Sequence, residues 1–329
     1  MSTVLFDGHD ATVLAQAAAR LAAGELVAFP TETVYGLGAR ADDDAAVAKV
    51  FAAKGRPAEH PLIVHVADAA DALAFAAHMP PVAQRLIDEL WPGPLTVIVE
   101  RAAGMARAAA GGQGSIGLRC PAHPVAKALL TAARGLGVAG VAAPSANRFG
   151  RISPTRAAHV VEAFGESLWV LDGGACRVGI ESAIVDCSRG RPVLLRPGVL
   201  TRARLEAAAG ESLHEPDADA PRASGTLLVH YAPQARLRLM PTATLNTALQ
   251  LLGAQPPRLA VYSRSLPANL GRGVLHRRMP SRPEAAAHEL FQVLREFDAE
   301  GVPLIWVEEP PPATEWDGVR DRLQRAAAS

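Results

Sequence analysis

The chain has 329 residues, 49% hydrophobic and 20% charged, which is enough apolar material for two domains of ~100 to 200 residues each. Lys plus Arg and Asp plus Glu both total 33, so no overall field recommends it as a strongly basic nucleic-acid binder, and only a local patch could serve that role. The three cysteines, Cys120, Cys176 and Cys187, are odd in number and never spaced C-x-x-C, which argues against a disulfide framework or a zinc site and suits a reducing cytoplasm.

In chain order, MSTVLFDGHD is acidic and lacks the apolar core of a signal peptide, and no run of ~18 apolar residues predicts a membrane span. Asp10 is placed to cap a helix over 10–23 that Gly24 ends. A buried strand is predicted at 25–29. Asp43 or Asp44 caps a second helix through Ala53, closed by Gly55, and 62–66 is strand-like. Helical stretches follow at 68–77 and 81–90. Further strands are predicted at 95–100, 115–119, 138–143, 168–171, 182–186 and 193–196, with helices at 123–134 and 154–163. The elements interleave without strict βαβ regularity, so 1–206 reads as an α/β domain with a twisted mixed sheet. Residues 207–235 are polar, acidic and broken by prolines, and read as an extended linker. The strand–helix rhythm resumes over 236–329 as a smaller second α/β domain.

Common catalytic signatures are missing. There is no G-x-x-x-x-G-K-[ST], no H-E-x-x-H and no G-x-S-x-G. GLGVAG, residues 135–140, matches G-x-G-x-x-G, but it follows a predicted helix where a dinucleotide loop must follow a strand; it reads as a helix end plus turn. What remains is a set of polar tips between elements: Thr31-Glu32-Thr33; Lys54, Arg56 and His60; Ser115 and Arg119; Ser145, Asn147 and Ser153; Glu181 and Ser182; and Arg196. Each has an ordinary reading. Lys54 and Arg56 suit a solvated helix C-terminus, Ser145 and Asn147 suit a turn, and His65 suits a satisfied core histidine. Arg119 is harder to dismiss, because a charge inside an apolar strand needs a carboxylate or phosphate partner. Only three of the 33 basic residues are lysines, Lys49, Lys54 and Lys127, so a lysine at 54 is not random filler. Together the tips offer cations and hydroxyls with little opposing charge, which suits a polyanion beside a small hydroxylated or carboxylated molecule.

PTETVYGLG, KGRPAEHPLIVHV, LRCPAHPVAKAL, APSANRFGRISPT, ESAIVDCSRGRPVLLRPG and HYAP occur in that order. In these motifs the chain resembles the threonylcarbamoyl-AMP synthases, in the long two-domain Sua5 form of the Sua5/YciO/YrdC family. The resemblance implies a YrdC-like catalytic domain with a positively charged cavity, followed by a linker and a Rossmann-like C-terminal domain. It implies that L-threonine, bicarbonate and ATP give threonylcarbamoyl-AMP and pyrophosphate, with Mg²⁺ accompanying ATP, and that the tRNA threonylcarbamoyltransferase machinery consumes the product at position 37.

By the same resemblance Lys54, Arg56, Ser145 and Asn147 are catalytic. ATP falls to Arg56, His60, Ser115, Ser145, Ser153 and Arg196, with Tyr231 reaching the nucleotide from a linker that closes the cavity as a lid. Threonine falls to Thr33, His65, Arg119, the Ala143 backbone and Ser182. Two departures stand out: Ala183 replaces a hydroxyl residue common after Glu181-Ser182, and ASGTLLV precedes HYAP where relatives carry Met and basic residues. The physics agrees with the implied step. A carbamate oxygen attacks the α-phosphorus, and catalysis of such transfers is mostly positioning and stabilisation of phosphate charge. A competing reading, a module with weak RNA binding, is disfavoured by zero net charge and 5% aromatic residues. A carbamoyl-transfer maturation factor would bring cysteine pairs that this chain lacks.

Overall fold

In the computed structural model, which describes residues 5–165, 168–252, 258–265 and 273–328, the first two helices start at the capping side chains that the sequence offers. Strand β1 (Leu5–Asp7) leads to α1 (Ala11–Ala22), where Asp10 accepts the N–H groups of Thr12 and Val13. Strands β2 (Val27–Phe29) and β3 (Gly36–Arg40) precede α2 (Asp44–Lys54), which Asp43 caps and a left-handed Gly55 closes. Then come β4 (Ile63–His65), α3 (Pro81–Leu90), β5 (Leu95–Glu100), β6 (Ser115–Arg119), α4 (Pro124–Gly135), β7 (Val141–Ala142), α5 (Ala157–Phe164), β8 (Trp169–Asp172), β9 (Ala183–Asp186), β10 (Val193–Arg196) and α6 (Arg202–Ala209).

Several elements differ from the sequence reading. The helix expected over 68–77 is a 3₁₀ turn, Ala69–Ala74, closed by an Asp68–Asp71 capping box. The strand expected over 138–143 pairs only at Val141–Ala142; at Gly140 a Cβ would stand 2.8 Å from the Phe75 ring, so the chain enters the sheet through a close approach. GLGVAG is a helix end and turn, with Gly137 at φ +82°. The expected linker start at 207 lies inside α6, which Thr201 caps and Gly210 ends in the left-handed region.

The chain divides into two compact units, Met1–Phe149 with Ser153–Thr226, and Gly150–Ile152 with Leu227–Ser329. The first holds a ten-stranded mixed sheet in the order β1-β8-β2-β3-β7-β4-β6-β5-β9-β10. Side chains alternate across it. One face sends Val64, Val97, Leu118 and Val185 into a core with Val50 and Phe51 of α2, Leu86 of α3 and Leu205 of α6. On the other face, Val27, Phe29, Val141 and Leu171 pack under Leu21 of α1 and Leu129 of α4. The rest of that second face, across β4, β6, β5, β9 and β10, forms a separate cluster of Ile63, Ile98, Ile184, Val193 and Leu195 with no helical side chain in it. Its cover is Ala220 and Ala223 from the irregular segment after α6.

The second unit contains β11 (Arg236–Met240), α7 (Thr242–Leu251), β12 (Leu259–Ser263), β13 (Val274–Arg278), α8 (Pro283–Ala299), β14 (Leu304–Glu308) and α9 (Asp317–Ala327). Its four strands are all parallel, in the order β11-β14-β12-β13. Both faces of such a sheet need cover, and α8 supplies seven buried apolar residues, among them Leu290, Phe291 and Leu294.

Candidate active site

The half of the sheet that helices leave open carries four of the predicted site residues, His65, Ser115, Arg119 and Arg196. Paired residues share a face, so the pairs Ile63↔Gly117 and His65↔Arg119 put His65, Arg119 and Ser115 on the open side. The pair Thr96↔Ile184 extends that floor to β5 and β9. A cavity there is lined by Ile63, Thr96, Ile98, Ser115, Gly117 and Ile184, with Arg222, Ala223 and Ser224 along its rim.

At one end Lys54 is only 3% exposed, so it is not a solvated helix terminus. Its Nζ donates to the Ser145 carbonyl at 2.6 Å and the Asn147 carbonyl at 2.5 Å. Burial, then the charges of Arg56 and Arg148, holds its pKa well below the ordinary lysine value, while Glu181 opposes them. Ser153 donates to the Glu181 carboxylate. Lys54, Ser145, Asn147, Ser153 and Glu181 thus form one connected group.

A second group surrounds two more buried cations. Arg56, 7% exposed, donates to the Pro61 carbonyl at 3.0 Å and lies over the Phe149 ring. His60 meets the same ring edge-on, and burial followed by the Arg56 charge lowers its pKa. Arg196, 2% exposed, donates to the Ser182 carbonyl at 3.0 Å and to the Ser182 hydroxyl at 3.2 Å. That hydroxyl also meets Thr96 Oγ1 at 2.8 Å. Ser224 joins the two arginines: its carbonyl accepts from Arg196 at 2.7 Å and its hydroxyl faces Arg56 at 3.5 Å.

The third group overturns the expectation of little opposing charge. Arg119 is already paired, its Nη2 donating to Glu32 Oε1 at 2.7 Å, and Glu32 takes the Ala122 N–H on its other oxygen. The pair keeps one donor in reserve, because the buried Arg119 Nε has no hydrogen-bond partner among the described residues. Glu32 and Glu181 are therefore two carboxylates built into a cationic site. Burial, followed by the Arg119 charge, pushes His65 down to about 3, so its imidazole is neutral at pH 7. Thr33 is fully buried, its hydroxyl 2.8 Å from that of Thr31, and the Ala143 N–H is spent on the Ile63 carbonyl at 2.9 Å.

Tyr231 belongs to the second unit. Its backbone is left-handed (φ +60°), and its ring stacks on Phe291 at 5.5 Å with the Arg322 guanidinium over it. The residues between α6 and Thr226, by contrast, belong to the first unit. Asp217 is held by Arg189 and Arg191, and the Arg222 backbone and Gln113 side chain exchange hydrogen bonds of 2.9 and 3.1 Å. The strap lies within 207–235, which the sequence marks as a linker and lid, and Glu32 lies in a predicted polar tip; the anchoring of the strap to the first unit, the pairing of Glu32 with Arg119 and the part played by Ser224 are what the sequence does not display. The Glu32–Arg119 and Ser224–Arg56 contacts span 87 and 168 residues of chain, so no local signal marks them.

Comparison with known proteins shows the family. Residues 19–198 match the Sua5/YciO/YrdC family model, described as "Telomere recombination", and residues 200–328 match the model for the C-terminal domain of threonylcarbamoyl-AMP synthase. The threonylcarbamoyl-AMP synthase of Pyrococcus abyssi is 37% identical over 92% of this chain and 91% of its own. That of Bacillus subtilis is 36% identical over 95% and 92%. The crystal structure of P. abyssi Sua5 complexed with L-threonine superposes with a TM-score of 0.86 at 34% identity, covering 95% of this chain and 94% of that one. With both family models matched in order and relatives aligned over nearly their full length, the chain belongs to the threonylcarbamoyl-AMP synthase family, in its two-domain Sua5 form.

Proposed function

We propose that this protein condenses L-threonine, bicarbonate and ATP to threonylcarbamoyl-AMP and pyrophosphate, and so supplies the activated threonylcarbamoyl group to tRNA modification. The observation that carries this reading is a set of buried basic side chains, Arg56 and Arg196, which share Ser224, together with Lys54 and Arg119, each 7% exposed or less. Lys54, Arg56 and Arg196 meet carbonyls and hydroxyls and no carboxylate hydrogen bond in the contacts given above, and a buried cation of that kind gains from a bound anion.

Lys54, Arg56 and Arg196 bind and orient the triphosphate and stabilise charge on the attacked phosphorus, helped by the hydroxyls of Ser115, Ser145 and Ser153 and by Asn147. His60 borders the same end. Arg119 offers its spare Nε to the threonine carboxylate, beside Thr33, Ala143 and Ser182. Carbamate formation requires a neutral amine, and the neutral His65 adds no charge beside it. A site that hydrogen-bonds the substrate hydroxyl rejects valine, because its buried polar groups would go unpaired. Among the described residues no three His, Cys, Asp or Glu side chains gather as a metal site. Mg²⁺ would accompany the triphosphate as part of the substrate and would neutralise part of its charge. Tyr231 is assigned to the nucleotide side by resemblance, with the linker acting as a lid against hydrolysis of the adenylate.

The test is pyrophosphate release from ATP in the presence of bicarbonate. Release that depends on threonine and falls sharply with valine supports the reading. Release indifferent to the amino acid, or none, overturns it.

A further inference from the structure

The second unit has a concave region of its own, independent of the site described above. Strands β12 and β13 run parallel with Ser263 paired to Arg278, so the chain leaves the sheet at 264 and at 279 side by side. Open α/β sheets bind ligands outside these carboxyl ends. An open hollow of ≈ 320 Å³ sits there, and Arg264, Arg278, Ser281 and Arg282 line it.

Arg264 is fixed in the wall by Glu308, the buried last residue of β14. That carboxylate accepts Arg264 Nη2 at 2.8 Å, the Arg264 N–H at 2.7 Å, the Ser265 N–H at 3.0 Å and the Thr242 hydroxyl at 2.8 Å. It neutralises Arg264 and positions it, yet Arg264 Nε, shielded from water, finds no partner among the described residues. The other two guanidinium groups are not neutralised in this way. Arg278 enters no ion pair among the described residues, and Arg282 reaches Glu284 only at 3.8 Å, with both side chains exposed. A contact of that kind contributes little. Arg282 is also the N-cap of the 17-residue α8 and makes no side-chain cap hydrogen bond, so the positive end of the helix lies on the same side. The basic groups meet around one hollow instead of tracking along a stripe, which favours a compact anion over a polymer backbone.

We propose that this cavity binds the phosphate group of a small ligand, either free phosphate or a mononucleotide, with Arg278 and Arg282 as the charged contacts and Arg264 as the fixed wall. The test uses the full-length, isotope-labelled protein, titrated with inorganic phosphate and separately with AMP at constant ionic strength, while the amide signals of 281–286 are followed. Saturable shifts with either probe support the site; shifts with AMP that exceed those with phosphate identify a nucleotide, and equal or phosphate-only shifts identify a free anion. The exposed double substitution Arg278→Ala with Arg282→Ala should weaken this binding at least ~10-fold, the loss of about one to two charge-assisted hydrogen bonds, and leave threonine-dependent pyrophosphate release unchanged. Non-saturating shifts, shifts that survive the double substitution, or shifts produced only by a short RNA oligomer overturn the proposal.

Discussion

Arg119 and Glu32 are joined at 2.7 Å with side chains only 4% and 3% exposed. Arg119 leaves the sheet from β6, and Glu32 sits in the turn after β2, so the pair ties two separate chain segments beneath the end of the site proposed for threonine. Breaking one partner of a buried pair leaves an uncompensated charge and costs roughly 3 to 5 kcal/mol. Glu32→Gln should lower the urea midpoint accordingly and raise the KM for threonine, since the guanidinium loses the carboxylate that aims it. An unchanged KM would remove Arg119 from threonine recognition.

His65 gives a pH signature. In the folded chain its pKa is about 3, against about 6.5 unfolded. Between those values the unfolded chain binds a proton that the folded chain refuses, so stability falls as pH falls below 6.5, by roughly 1.4 kcal/mol per unit, until about pH 3. Urea denaturation at pH 7 and pH 5 should therefore show a steeper loss in the native protein than in His65→Asn. Equal slopes would mean that the imidazole is not sealed from water.

What the sequence displayed, and what it hid, divides by range. Asp10 and Asp43 announced their helices because a cap acts within three residues. Thr201 and Gly210 gave the same signal for α6, overlooked because the surrounding segment reads as polar linker. β3, sequence GLGAR, lacks strand-like residues for a packing reason: a Cβ at Gly38 would stand 2.7 Å from Val141 Cγ1 and 2.8 Å from Phe29 Cε1. Gly198 is constrained likewise, a Cβ there lying 2.5 Å from the Ala183 nitrogen beside Ser182. Most of the cations and hydroxyls of the site were legible as polar breaks in apolar runs. The carboxylates that answer them were visible as residues but not as partners, because pairing over such separations is set by the sheet order.

Lys54 tests the phosphate end. Its ammonium bridges two carbonyls and shapes the 145–147 turn as well as facing the site. Removing one preorganised cationic donor typically costs about 10²- to 10³-fold in turnover, so Lys54→Met should lose at least that much threonine-dependent pyrophosphate release. Lys54→Arg should not rescue it, because a planar fork does not replace a compact ammonium in a pocket this closed. Recovery with arginine would reduce Lys54 to a general positive charge.

The strap makes the last prediction. Ala220 and Ala223 lie on the apolar patch of Ile63, Ile98 and Ile184, and the neighbouring Ser224 touches both Arg56 and Arg196. The segment thus occupies the donors that a triphosphate would claim, and its grip is modest: two small side chains, the Gln113 clamp and the Asp217 ion pairs. Ala223→Asp buries a carboxylate against three isoleucines, which is unfavourable without a partner, and it should detach the strap while leaving the helix-covered face of the sheet intact. Protease cleavage within 217–226 should then accelerate at an unchanged global urea midpoint. If the strap shields the adenylate, product should also escape or hydrolyse faster per pyrophosphate released. Faster cleavage with undiminished product retention would make the strap a passive covering, and the protection of the adenylate would have to come from another segment.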